Sequence, residues 1–72
     1  MDSEKVFGLR VHELRAENHL TQQQLGDAIG LSKQAINDIE KGRRQTTISK
    51  SILFADYFNV SLDYLVGRSD AR

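Results

Sequence analysis

Apolar and polar positions recur along this chain with a helical period, interrupted at short intervals by residues that start or stop helices. Phe7, Val11 and Leu14 stand at i, i+4 and i+7 and form one apolar stripe, opened by Asp2 or Ser3 and running to about Glu17. Asp2 and Glu4 place negative charge at the positive end of this first helix. Asn18 and His19 make the connection that follows, and Leu20 is expected to pack back under the helix as a hydrophobic staple. Thr21 followed by Gln24 is a capping-box pattern, so a second helix should start at Gln22, with Leu25, Ala28 and Ile29 on its inner face. Gly30 can take the left-handed conformation that closes a helix. Ser32 then caps a third helix with Ile36 and Ile39 inward, and Gly42 ends it as Gly30 ended the second. Gly26 is out of place by propensity, at roughly 1 kcal/mol against alanine. Close approach of the third helix would compensate.

Further on, Thr47 caps a fourth helix over residues 48–58, with Ile48, Ile52, Ala55 and Phe58 as its inward stripe. Leu53 and Tyr57 stand at i and i+4 on a different face; they either widen the core stripe or meet a partner subunit. Asn59 can take the left-handed position, and Ser61 caps a fifth helix over residues 62–66 that Gly67 ends. Leu62 and Leu65 should point inward, with Tyr64 and Val66 nearer the rim. The pattern predicts an all-α, compact five-helix domain over residues 1–67 and a short polar tail over 68–72. Proline is absent, in keeping with helices joined by short turns. The second and third helices, joined at Gly30-Leu31-Ser32, make a helix-turn-helix.

Thr21, Gln22, Leu25, the small Gly26, Gly30, Ser32, Ile36, Ile39, Glu40 and Gly42 match the pattern of the lambda-repressor-like, or XRE, helix-turn-helix proteins of bacteria and phages. The chain resembles that family over about residues 5–67. Phe7, Val11, Leu14, Arg15 and Leu20 extend the resemblance upstream. Ile48, Ala55, Phe58, Val60, Ser61, Leu62 and Leu65 extend it downstream. One departure lies after Gly42, where the family usually has a basic residue and then a proline; here Arg43 and Arg44 lead into Gln45, Thr46 and Thr47. The resemblance implies a sequence-specific DNA-binding transcriptional regulator, a repressor before an activator. It also implies that Gln22 holds a phosphate, and that an ion pair between Arg15 and Glu40 bridges the first and third helices.

Charge sharpens this reading. The chain carries ten basic and ten acidic residues, for a net charge of zero. Residues 33–50 nevertheless hold five basic residues, Lys33, Lys41, Arg43, Arg44 and Lys50, against only Asp38 and Glu40. A local basic patch, not the whole-chain sum, is the footprint of a phosphate backbone. Lys33, Gln34, Asn37 and Asp38 lie on the polar face of the third helix, the element that a helix-turn-helix sets in the major groove. Gln34 can pair bidentately with adenine, Lys33 can reach guanine or phosphate, Asn37 can do either, and Asp38 can accept from cytosine. Thr21, Gln22, Lys41, Arg43 and Arg44 are the candidate phosphate contacts, Lys41 being weaker than the arginines, as is Lys50. The expected partner is double-stranded DNA with an inverted-repeat operator, bound by a homodimer whose interface draws on Leu53, Tyr57, Tyr64 and Val66. A competing class is a protein-interaction module of the same fold, such as an antitoxin, favoured by the neutral net charge.

Other chemistry is excluded by composition. Without cysteine there are no disulfides or thiolate metal sites. His12 and His19 share helical spacing with no further ligand, and zinc usually takes three or four, so both read as surface histidines and no metal is expected. No phosphate-binding glycine loop and no nucleophile with a base is legible, so no enzyme activity, cofactor or small-molecule ligand is expected. The longest apolar run, Ile52, Leu53, Phe54 and Ala55, is far too short for a membrane span. The N-terminus lacks a signal pattern, and a cytoplasmic protein is expected.

Overall fold

Five serine, threonine or aspartate side chains start five helices. The computed structural model describes residues 2–72, and among them α1 spans Ser3–Glu17, α2 Gln22–Ile29, α3 Lys33–Glu40, α4 Ile48–Phe58 and α5 Leu62–Val66. Asp2, Thr21, Ser32, Thr47 and Ser61 each accept a hydrogen bond from a backbone N–H of the following turn, at 3.0–3.1 Å. Loss of one such cap costs about 1 kcal/mol. Thr21 and Gln24 form the full capping box, the Thr21 N–H donating to Gln24 Oε1 at 2.8 Å. Gly30, at φ 88°, closes α2, and its N–H and that of Leu31 both donate to the Gly26 carbonyl at 2.8 Å. Gly42 also has positive φ but lies one residue beyond the cap of α3, which is Lys41.

The helices enclose one apolar cluster. Phe7, Val11 and Leu14 from α1 meet Leu25 and Ile29 from α2, Ile36 and Ile39 from α3, Phe54 and Ala55 from α4, and Tyr64 and Leu65 from α5. The Phe7 and Phe54 rings pack edge to face with centroids 5.4 Å apart. No buried side-chain polar atom among the described residues lacks a hydrogen-bond partner.

Two glycines set the helix crossings. A Cβ on Gly26 would lie 2.4 Å from the Leu31 carbonyl oxygen and 3.4 Å from Ile36 Cγ1. The backbone of the turn, more than the body of the third helix, is therefore what Gly26 admits. A Cβ on Gly8 would lie 2.1 Å from the Ile39 carbonyl oxygen, so α1 crosses α3 with its backbone almost in contact. That second approach has no counterpart in the sequence expectations.

Four expected placements are corrected. Ala28 is exposed, because the buried arc of α2 runs through Leu25, Gly26 and Ile29, toward the turn. Ile48 and Ile52 are exposed, and α4 instead buries Ser51, Phe54 and Ala55, with Phe58 partly buried. Ser51 tolerates burial because its hydroxyl donates to the Thr47 carbonyl at 3.0 Å. Tyr64 is buried, not at the rim, because two arginines cover its ring: Arg10 at 4.3 Å and Arg72 at 5.5 Å from the centroid. Leu20 is half-buried but outside the core cluster; its carbonyl accepts from Arg15 Nη1 at 2.8 Å.

Candidate nucleic-acid interface

α2 and α3 are held together below their outer faces by one buried carboxylate. Glu40 ends α3, and its side chain is only 4% exposed. Arg15 of α1 donates to it from Nε at 2.6 Å and from Nη2 at 3.1 Å. Gln22, the first residue of α2, donates from Nε2 to Glu40 Oε1 at 3.2 Å and to Asn37 Oδ1 at 3.1 Å. His12 Nδ1 lies 3.0 Å from the same Oε1. Burial alone would raise the Glu40 carboxyl, but hydrogen bonds from Arg15, His12 and Gln22 and the Arg15 charge outweigh it and hold the group below the ordinary carboxylate range. The bond to Glu40 in turn raises the Arg15 guanidinium, against its partial burial. Three helices thus meet at a charge matched by its donors, and the angle between α2 and α3 is fixed from behind.

Most of the residues that the sequence singles out around this junction are exposed. Lys33 and Gln34 are exposed in the first turn of α3, and Arg43 and Arg44 are exposed in the loop beyond it. Thr21 and Lys41 are also exposed, at the start of α2 and the end of α3. Asn37 and Asp38 are half-buried and already engaged. Asn37 accepts from Gln22, whereas Asp38 accepts from Gln34 Nε2 at 3.1 Å, an i, i+4 pair that orients the Gln34 amide. The Gln22 amide nitrogen is likewise turned inward, toward Asn37 and Glu40. What remains open at the start of α2 is the positive end of an eight-residue helix.

Three residues near this face take parts that the sequence did not suggest. His12 joins the Glu40 network; its position three residues before Arg15 on one helix face was the available signal. Lys50 donates from Nζ to the Ile29 carbonyl at 3.0 Å, binding α4 to the negative end of α2 rather than pointing at a phosphate. Leu9 is 57% exposed and lines, with His12, Gln22, Asn37, Glu40 and Lys41, a shallow cleft of about 270 Å³. Among the described residues no group of three metal-binding side chains converges, and no helix is long and apolar enough to cross a membrane.

Among the surplus apolar residues, Leu53 and Tyr57 are 44% and 46% exposed on α4, beside Ile48 at 72% and Ile52 at 45%. Val66 is half-buried against the core, and Tyr64 offers little free surface.

Known proteins are similar to this chain in sequence and in fold. A family model described as helix-turn-helix matches residues 11–65. The HTH-type transcriptional regulator PrpR of Mycobacterium tuberculosis is 37% identical over 70 residues, which cover 97% of this chain but only 14% of that protein. The control protein C.SmaI of Serratia marcescens is 32% identical over 72 residues, all of this chain and 86% of its own length. In three dimensions the fold is similar to the restriction-modification controller protein C.AhdI from Aeromonas hydrophila, with a TM-score of 0.76 at 26% identity, covering 85% of this chain and 92% of that one. The matched residues include the whole α2–turn–α3 unit with its capping box and its buried glutamate, so the chain belongs to the lambda-repressor-like, XRE-type helix-turn-helix family of DNA-binding transcriptional regulators.

Proposed function

We propose that this protein represses transcription by binding, as a homodimer, to an inverted-repeat operator whose bases are read by α3. The observation that carries the reading is that two exposed sets of polar and basic residues flank α3 at its two ends. Lys33 and Gln34 open the recognition helix, and Arg43 and Arg44 follow its end. Gln34 reads a base edge, held in position by Asp38. Lys33 adds a guanine or phosphate contact. Thr21, Lys41, Arg43 and Arg44 hold the sugar-phosphate backbone, together with the start of α2. Gln22 and Asn37 act mainly on each other, fixing α2 against α3; Gln22 reaches phosphate only by releasing that contact. The exposed α4 residues Leu53 and Tyr57, extended by Ile48 and Ile52, provide the apolar surface for a second copy. Dimeric readers of this kind place two recognition helices about 34 Å apart, one turn of DNA.

Selection of bound duplexes from a random pool tests the operator and its symmetry together. Gln34→Ala then separates reading from holding. It should cost roughly 1–3 kcal/mol on the selected operator and little on random duplex. Arg43→Ala should weaken both duplexes by similar factors and flatten the salt dependence by about one unit of slope, the share of a single neutralised phosphate. Equal losses on both duplexes for Gln34→Ala would remove the base contact from that position. No effect of either variant would favour a protein-interaction module.

A further inference from the structure

His12 occupies an unusual electrostatic position. Its Nδ1 lies 3.0 Å from Glu40 Oε1 and 3.2 Å from Arg15 Nη2. An ionised carboxylate can only accept and a guanidinium can only donate, so one ring nitrogen cannot serve both neighbours at once. Arg15 Nη2 already has an acceptor in the same Oε1, at 3.1 Å. The arrangement that satisfies all three groups puts a proton on Nδ1, donated to Glu40. Nε2 then lies on the far side of the ring, with no hydrogen-bond partner among the described residues, and the side chain is 53% exposed. A neutral imidazole in this pose presents a lone pair outward. A protonated one presents an N–H carrying positive charge.

We infer that His12 is a proton-gated phosphate contact: its charged form donates from Nε2 to the DNA backbone, so that operator affinity rises as pH falls. This rests on the DNA face assigned above, because His12 lines the same cleft as Gln22 and Lys41. The charged groups around it are Glu40 and Lys41 from the end of α3 and Arg15 from its own helix; the α2 side contributes only the uncharged Gln22. A bound phosphate adds a negative charge on the open side, which favours the charged ring. DNA binding that uses this contact therefore takes up a proton.

The test uses random duplex, whose affinity reports phosphate contacts, at about pH 5.5 and about pH 8. Wild type should bind several-fold more tightly at the lower pH, with a salt slope steeper by about one. It should also take up protons on binding near neutrality, read by calorimetry in buffers of different ionisation enthalpy. His12→Gln, which can still donate to Glu40, should lose the extra slope and the proton uptake. His19→Asn, altering the other histidine at its left-handed position, should keep both. The proposal is overturned if His12→Gln retains the pH dependence, or if wild type shows no steepening. Arg43→Ala separates the two levels. If it leaves duplex affinity unchanged, the DNA face is misassigned and the His12 contact falls with it. If it weakens binding while His12→Gln behaves as wild type, only the His12 contact is wrong.

Discussion

Two arginines on opposite sides of α1 hold the rest of the molecule in place by different physics. Arg15 points at the α2–α3 junction and meets Glu40, a carboxylate almost fully removed from water that takes hydrogen bonds from three residues. Arg10 points at the C-terminal side, where its guanidinium lies 4.3 Å from the centroid of the Tyr64 ring. It donates to the Tyr64 carbonyl, to the Ser69 carbonyl at 2.7 Å and to Asp70 at 2.8 Å. Asp70 is 98% exposed. Arg15 thus works through a buried charge, and Arg10 through backbone carbonyls and an aromatic face. The first junction fixes the angle between α2 and α3. The second closes the segment after Gly67 over Tyr64, helped by Arg72, which pairs with Glu17 at 2.8 Å. By distance alone both arginines form salt bridges, but only one leaves an uncompensated charge behind when it is broken.

The largest effect is therefore expected at the first junction. Glu40→Ala strands Arg15 and removes the acceptor shared by His12 and Gln22. Breaking a buried pair in this way costs about 3–5 kcal/mol, to be measured by urea unfolding. A marginal domain of this size would lose much of its stability. The same junction gives a pH dependence of known sign. The Glu40 carboxyl is held below its ordinary value in the folded state, so its contribution is present above the unfolded value of about 4.3 and disappears as pH falls through the folded one. The stability gap between wild type and Glu40→Gln should accordingly narrow in acid. A gap that widens there would contradict the pairing.

A smaller loss is expected at the second junction. Arg10→Ala leaves no buried charge, but it uncovers the Tyr64 ring and frees two carbonyls. Cation–π contacts and charge-assisted hydrogen bonds of this exposure suggest about 2 kcal/mol. DNA affinity should not change, because α2 and α3 are untouched. Arg10→Lys keeps the charge but not the planar fork, and should recover only part of the loss. Full recovery would mean that charge, rather than geometry, holds the segment after Gly67.

The same contrast separates what is legible in the chain from what is not. Four helix starts lie open in the sequence and the first is narrowed to Asp2 or Ser3, because Asp2, Thr21, Ser32, Thr47 and Ser61 act on residues two or three positions away. The third helix is equally open, since its polar face and the arginines after it are local patterns. Arg15 and Glu40 can be connected through the family resemblance alone; neither spacing nor charge links residues on separate helices. Arg10 cannot, since Tyr64, Ser69 and Asp70 lie more than fifty positions away, the last two in a stretch that reads as a polar tail. Gly8 does not stand out because nothing nearby in the sequence announces the Ile39 carbonyl it admits. The rotation of α4 is hidden because Ser51 reads as polar, although the Thr47 carbonyl one turn back satisfies its hydroxyl. Local chemistry is legible, and contacts made by folding distant segments together are not.

The smallest expected effect isolates the one contact of the second junction that resembles an ordinary ion pair. Asp70→Asn removes the carboxylate charge facing Arg10 and preserves the side-chain shape. An aspartate this exposed is solvated almost as well in the folded chain as in the unfolded one, so little hydration is lost by pairing and little is recovered by separation. Arg10 also keeps its bonds to the Tyr64 and Ser69 carbonyls and its place over the ring. The melting temperature should stay where it was, at both low and high salt. Arg10→Ala, measured beside it, should fall clearly, and its loss should persist when salt screens exposed charges. If Asp70→Asn instead destabilises as much as Arg10→Ala, and salt abolishes both losses, the C-terminal segment is held by surface electrostatics. Arg10 and Arg15 would then differ only in burial, not in kind.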